Sequence, residues 1–92
     1  MLDIEFLLDE NVLGLDRYLD IFELKYRKIG NKNCPPLKSS DSVVAKFADK
    51  ENLVVVTNDD NLKKQCELFG VRYVFSDLTD FARKIKAYAD SN

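Results

Sequence analysis

The sequence contains no histidine. Without an imidazole, Ser-His-Asp and Cys-His nucleophilic machinery, histidine-dependent zinc sites and histidine acid–base ribonuclease chemistry are all excluded, and any catalysis must use carboxylates, thiols, amines or a metal. Cysteine is almost as scarce. Cys34 and Cys66 lie far apart and form no C-x-x-C pair, so neither a zinc ribbon nor a dithiol redox motif is indicated, and a disulfide between them is not expected of an intracellular chain. With three glycines and two prolines, collagen-like and low-complexity chains are excluded. The longest unbroken apolar run, Leu53-Val54-Val55-Val56, falls far short of the roughly 20 residues of a membrane-spanning helix. Asp3 and Glu5 stand where a secretory signal would carry basic residues and then an apolar stretch; no targeting segment, no membrane and a cytoplasmic location are therefore expected.

What is present suits a folded chain. Ninety-two residues, 46% hydrophobic and 33% charged, make one domain spanning 1–92. The net charge of −2 predicts no global attraction to nucleic acid, but its distribution is uneven. Residues 1–23 hold Asp3, Glu5, Asp9, Glu10, Asp16, Asp20 and Glu23 against Arg17 alone, whereas residues 24–40 hold Lys25, Arg27, Lys28, Lys32 and Lys38 with no acid. As phosphate contacts those five cations would supply sequence-independent, salt-sensitive affinity for nucleic acid; as the solvated face of an edge strand they would only keep it soluble.

The hydrophobic pattern predicts alternating strands and helices. Ile4–Leu8 is an apolar run closed by Asp9-Glu10-Asn11, and reads as a strand. Val12, Leu15, Leu19 and Phe22 recur at helical spacing. Leu24–Ile29 alternates and reads as a second strand, followed by one long loop, Gly30–Ser40, in which Pro35-Pro36 forbids helix. Ser39 or Ser40 caps a helix with Val43, Val44, Phe47 and Ala48 on one face, ending near Lys50. Leu53–Thr57 is β-branched and apolar without alternation, as a central strand covered on both faces should be. A helix presenting Leu62, Cys66 and Phe69 stops at Gly70; Val71–Phe75 is the next strand; Leu78, Phe81, Ala82, Ile85, Tyr88 and Ala89 mark a closing helix. The order implies an α/β fold with a mainly parallel four-stranded sheet flanked by helices. So short a chain leaves much surface uncovered, which favours a homodimer.

In such a sheet every strand's carboxyl end lies on one edge, where ligands bind. Asp9 and Glu10 follow the first strand, Asp59 and Asp60 follow the LVVVT strand, and Asp41 opens the helix after the long loop. If the two strands are neighbours, Asp9, Asp41 and Asp59 converge. Their mutual repulsion needs a neutraliser, and Mg²⁺ or Mn²⁺ prefers oxygen ligands and can activate water against a phosphodiester. Each residue also has a plainer reading: Asp9 closing a strand, Asp41 starting a helix, Asp59 capping one, Glu10 and Asp60 solvated.

Phe6-Leu7-Leu8-Asp9-Glu10-Asn11-Val12, the mid-chain Ser40-Asp41 followed by Val44 and Ala48, and Leu53-Val54-Val55-Val56-Thr57-Asn58-Asp59 resemble, in order, the boxes of the small PIN-like nucleases, relatives of the PilT amino-terminal domain, in the short subgroup with an L-L-D-E-N-V box. The resemblance implies a PIN-like three-layer sandwich and a metal-dependent endoribonuclease, with Asp9, Asp41 and Asp59 as catalytic ligands of Mg²⁺ or Mn²⁺ and RNA as substrate. Thr57 would position Asp59, and Glu10, Asn11 and Asp60 would support the site. The family usually continues T-x-D-x-D-F, whereas Asn61 stands here for the fourth acid, so an amide replaces one carboxylate ligand and metal binding should weaken. A catalytically weak PIN-like module that binds RNA or protein is the alternative. Many relatives are toxins of toxin–antitoxin pairs, which implies an antitoxin-like partner by analogy. An aspartyl-phosphate receiver would need a fifth strand and a lysine after it.

Overall fold

Four short segments form one sheet in the computed structural model, which describes residues 4–75 and 81–91. Strands β1 (Glu5–Leu8), β2 (Lys25–Lys28), β3 (Val54–Thr57) and β4 (Tyr73–Phe75) are all parallel, in the order β2-β1-β3-β4. The register sets Leu8 opposite Lys28 on one side and Val56 on the other. β3 is buried at every residue, as its unbroken apolar run requires. β2 is an edge strand: Lys25 is exposed and Tyr26, Arg27 and Lys28 are half-buried, so polar side chains are tolerated there.

The two faces carry separate cores because successive side chains alternate across a strand. Phe6, Leu8, Val54, Val56 and Val74 pack against Val12, Leu15, Leu19 and Ile85. Leu7 and Val55 face the other way, against Val44, Ala45, Ala48, Leu62 and Cys66. Helices α1 (Asp16–Ile21) and α4 (Phe81–Ser91) therefore cover one face, and α2 (Asp41–Glu51) and α3 (Asp60–Phe69) the other. The chain runs outward from β1 to β2 and then back past β1 to β3. That reversal places the helices of outward and returning connections on opposite faces, the arrangement that right-handed crossovers demand.

Two details depart from the sequence pattern. The single helix expected from Val12 is a 3₁₀ helix, Glu10–Leu15, followed by α1; Val12 breaks it with φ −130° and ψ 24°, and Gly14 does little to hold a helix together. In α2 the buried residues are Val44, Ala45 and Ala48, while Val43 is exposed, because 44, 45 and 48 share the inner stripe and 43 sits a turn's edge behind it. The long loop ends in Ser40, whose Oγ accepts from the Val43 amide at 3.4 Å. The expected helix start at Leu78 lies outside the described residues; Ile85, Tyr88 and Ala89 do face inward on α4. Asn52 and Gly70 close α2 and α3 in the left-handed conformation, at φ 57° and 70°. Cys34 and Cys66 are both free thiols. No helix among the described residues is long and apolar enough to cross a membrane.

Candidate functional site

Asp9 leaves β1 where the chain must choose a direction: β2 lies to one side, β3 and β4 to the other. In open α/β sheets this switch point opens a crevice beyond the carboxyl ends of the strands. Asp9 stays attached to the sheet, its amide donating to the Val56 carbonyl at 3.0 Å. Its side chain is 6% exposed and held at both oxygens. Oδ1 accepts from the Glu10 amide at 2.8 Å, and Oδ2 accepts from the Thr57 hydroxyl at 2.9 Å. A buried carboxylate without such donors would be costly.

Thr57 joins the two strand ends. Fully buried at the end of β3, its Oγ1 also accepts from the Asp59 amide at 3.0 Å. Two consecutive hydrogen bonds thus run from the Asp59 backbone to the Asp9 carboxylate, and both acids sit on one rim. Asp59 caps α3, its Oδ1 accepting from the Asn61 amide at 2.8 Å. Asp41 is the first residue of α2, and because Ser40 performs the capping there, the Asp41 carboxylate is not consumed by it. Glu10 reaches across to the long loop, Oε1 accepting from the Lys38 amide at 2.8 Å, at a residue in the left-handed region (φ 67°). Asn11, Asp60 and Asn61 are exposed around the rim.

The electrostatics identify the same cluster. Burial pushes the Asp9 carboxyl above its ordinary value, the charges of Asp59 and Glu10 push it further, and the bonds from Thr57 and the Glu10 amide pull it back in part. Asp41 is raised by burial and then by Asp59, Asp9 and Glu10. Among the described residues no cation pairs with any of these four acids: the ion pairs join Arg27 to Glu5 and Glu51, Lys28 to Asp16, and Lys86 to Asp90. The rim is therefore an uncompensated set of hard oxygen donors, which fits Mg²⁺ or Mn²⁺ in kind. As the side chains stand, no three acids or thiols among the described residues close tightly enough to hold an ion; Asp9 is fixed, and Asp41 and Asp59 would have to supply the inward rotation.

These shifts set a pH dependence. A carboxyl whose native value is raised stabilises the fold fully below its unfolded value of 3.8 and loses that contribution as pH rises through the native one. In EDTA, the melting temperature of the parent relative to an Asp9→Asn, Asp41→Asn double variant should fall as pH rises from about 4 toward neutrality. A difference independent of pH would contradict the repulsion described.

The basic segment is dispersed. Arg27 donates Nε to Glu5 and Nη1 to Glu51, both at 2.9 Å, clamping β2 to β1 and to the end of α2. Lys28 Nζ donates to Asp16 at 2.8 Å. Those two cations are half-buried and engaged within the fold; Lys25, Lys32 and Lys38 lie at the surface. A cleft of about 340 Å³ lies instead along the 3₁₀ helix and α1, where Asn11, Gly14, Arg17 and Tyr18 contribute to its wall. Arg17 is the lone cation of the acidic amino-terminal segment, the only sequence signal that singled it out. A second cavity, about 450 Å³, lies between β4 and α4 and has no acid among the described residues that line it. In comparisons with known proteins, the chain matches no family model, no curated protein and no solved structure.

Proposed function

We propose that this chain is a PIN-like, metal-dependent endoribonuclease that hydrolyses RNA phosphodiester bonds at the rim formed by Asp9, Asp41 and Asp59. The observation that carries the reading is Asp9 itself, a carboxylate buried at the topological switch point, fixed at both oxygens and set beside other acids with no paired cation among the described residues. Purely structural acids in such a position are usually neutralised; an uncompensated group of them in a crevice is the mark of a functional site.

Asp9, Asp41 and Asp59 would hold Mg²⁺ or Mn²⁺, with the Asn61 amide oxygen in place of a fourth acid and Asp60 at the margin. The bound ion supplies charge neutralisation, polarisation of the phosphodiester and a lowered pKa for attacking water. The chain's own part is positional. Thr57 holds Asp9 and the Asp59 backbone in one frame, and Glu10 ties the long loop to the rim. Because water rather than the ribose 2′-hydroxyl is the nucleophile, products carry 5′-phosphate and 3′-hydroxyl ends. An antitoxin-like protein and a second copy of the chain are the partners this reading brings with it.

The test is cleavage of single-stranded RNA by the purified chain in Mn²⁺ and in EDTA. Cleavage in Mn²⁺, lost in EDTA and leaving 5′-phosphate ends, is the expected result; 2′,3′-cyclic phosphate ends would overturn the mechanism. The spread of the acids as placed, together with Asn61, favours a second reading, a non-catalytic module that binds RNA or protein. Absence of Mn²⁺ binding in a millimolar calorimetric titration would select it.

A further inference from the structure

We propose that the cleft along the 3₁₀ helix and α1 is a subsite for single-stranded RNA, in which Tyr18 stacks on a base and Arg17 takes the adjoining phosphate. The proposal rests on the ribonuclease reading for its substrate class, and the cleft stands on observations of its own.

The first observation is continuity. The Val12 amide donates to the Asp9 carbonyl at 2.9 Å, so the wall of the cleft, which includes Asn11 and Val12, begins within one turn of the buried acid along the chain. The second is the kind of side chain gathered there. Tyr18 is 40% exposed, whereas Phe6 and Tyr88 are packed together within the fold. An exposed aromatic side chain in the wall of a cleft can serve as a platform on which any base stacks. The third is charge. Arg17 forms no ion pair among the described residues, and the acid beside it, Asp16, is held chiefly by Lys28 at 2.8 Å, with a smaller pull from Arg17. A guanidinium so placed can grip a phosphate through two donors. It also offsets the repulsion that the acidic rim would otherwise impose on the same strand. The fourth is room. A Cβ added at Gly14 would meet nothing within 4 Å, so the cleft is open at its middle and can be filled without disturbing the fold.

This location replaces the basic segment as the main RNA contact. Arg27 and Lys28 are occupied in ion pairs, and Lys32 and Lys38 lie in the loop with no aromatic beside them in sequence.

The experiment is fluorescence anisotropy of a labelled, short single-stranded RNA on the full chain in EDTA, where cleavage is stopped, with circular dichroism to confirm each variant's fold. Tyr18→Ala should weaken binding about tenfold or more, as loss of one stacked base does, and Tyr18→Phe should restore it. Arg17→Ala should lower the slope of log affinity against log salt by about 0.7, one phosphate contact. Gly14→Met, which fills the cleft and touches neither residue's chemistry, should weaken binding comparably. In Mn²⁺ the same variants should raise KM and leave kcat. Parent chain that binds no RNA, or variants that all bind as the parent does, would overturn the subsite. Binding that depends on the cleft in a chain that never cleaves would sink the ribonuclease reading alone; cleavage indifferent to Tyr18, Arg17 and Gly14 would sink the subsite alone.

Discussion

Asp9→Asn should abolish RNA cleavage while leaving the chain folded and, in EDTA, more heat-stable than the parent. The two effects have one cause. Asp9 is buried beside Asp59 and Glu10, whose charges, like burial itself, disfavour its ionised form, and its own charge in turn raises Asp41. Asparagine keeps the shape and removes the charge. Its carbonyl oxygen can still accept from the Glu10 amide, now bonded at 2.8 Å, and its amide can donate to Thr57 Oγ1, which already accepts from the Asp59 amide; the Thr57 hydroxyl proton loses its acceptor, which offsets part of the gain. Relief of repulsion at a functional site commonly yields about 0.5–2 kcal/mol, and each kcal/mol moves the melting temperature of a domain this size by about 4–8 °C. Function runs the other way. Loss of a residue that only supports a ligand lowers metal affinity or activity by about 10- to 100-fold, so loss of the central ligand should exceed a hundredfold. Asp9→Ala separates the terms: it also removes both acceptors, leaves the Thr57 hydroxyl without its buried partner and should melt below Asp9→Asn. Cleavage assays with Mn²⁺ and melting curves in EDTA and in Mn²⁺ decide the matter. Retained cleavage in Asp9→Asn would end the proposed mechanism, and a lower melting point in EDTA would show that the acid serves the fold.

Much of this geometry could be read from residue types, because it depends on local rules. The run Leu53-Val54-Val55-Val56 could only be a strand buried on both faces, and β3 is one. Gly70 ends α3 because a left-handed residue is wanted there. With strands parallel, the acids after β1 and β3 had to share an edge. What could not be read depends on partners far along the chain. That β1 and β3 are neighbours follows from the excursion to β2 and back, which no spacing encodes. The basic segment, Lys25, Arg27, Lys28, Lys32 and Lys38, could be read as phosphate contacts or as a solvated edge; Arg27 pairs with Glu5 and Glu51, and Lys28 with Asp16. Only the folded register brings those acids to them. The break at Val12 was hidden for a related reason: Val12, Leu15 and Leu19 are all buried in one cluster, so the apolar spacing is satisfied whether the backbone is one helix or two. Tyr18 carried no pattern, and Arg17 only that of the lone cation in an acidic segment, since a cleft is a property of how two elements meet.

Thr57→Val should lower both stability and cleavage, and it separates positioning from packing because valine has nearly the same shape. The side chain is wholly buried, so the substitution adds no cavity; what goes is one hydroxyl serving two partners. Oδ2 of Asp9 loses its donor at 2.9 Å, and the Asp59 amide loses its acceptor at 3.0 Å. Stranding a buried polar group costs about 1–3 kcal/mol. Asp59 is partly exposed and can recruit water, so the Asp9 side dominates and the total is about 2 kcal/mol, a fall of about 8–16 °C in melting temperature. The bond from Thr57 is also the strongest influence holding the Asp9 carboxyl down against burial. Without it the carboxyl rises further, so the acid limb of the pH–rate profile should move to higher pH, and cleavage on that limb should fall with it. Thr57→Ser keeps the hydroxyl and loses only a methyl group, so it should restore the profile while recovering part of the stability. A Thr57→Val chain that melts low yet cleaves with the parent's pH profile would mean that the hydroxyl supports the strand ends and nothing more. A shifted acid limb restored by serine would place Thr57 as the residue that sets the ionisation of Asp9.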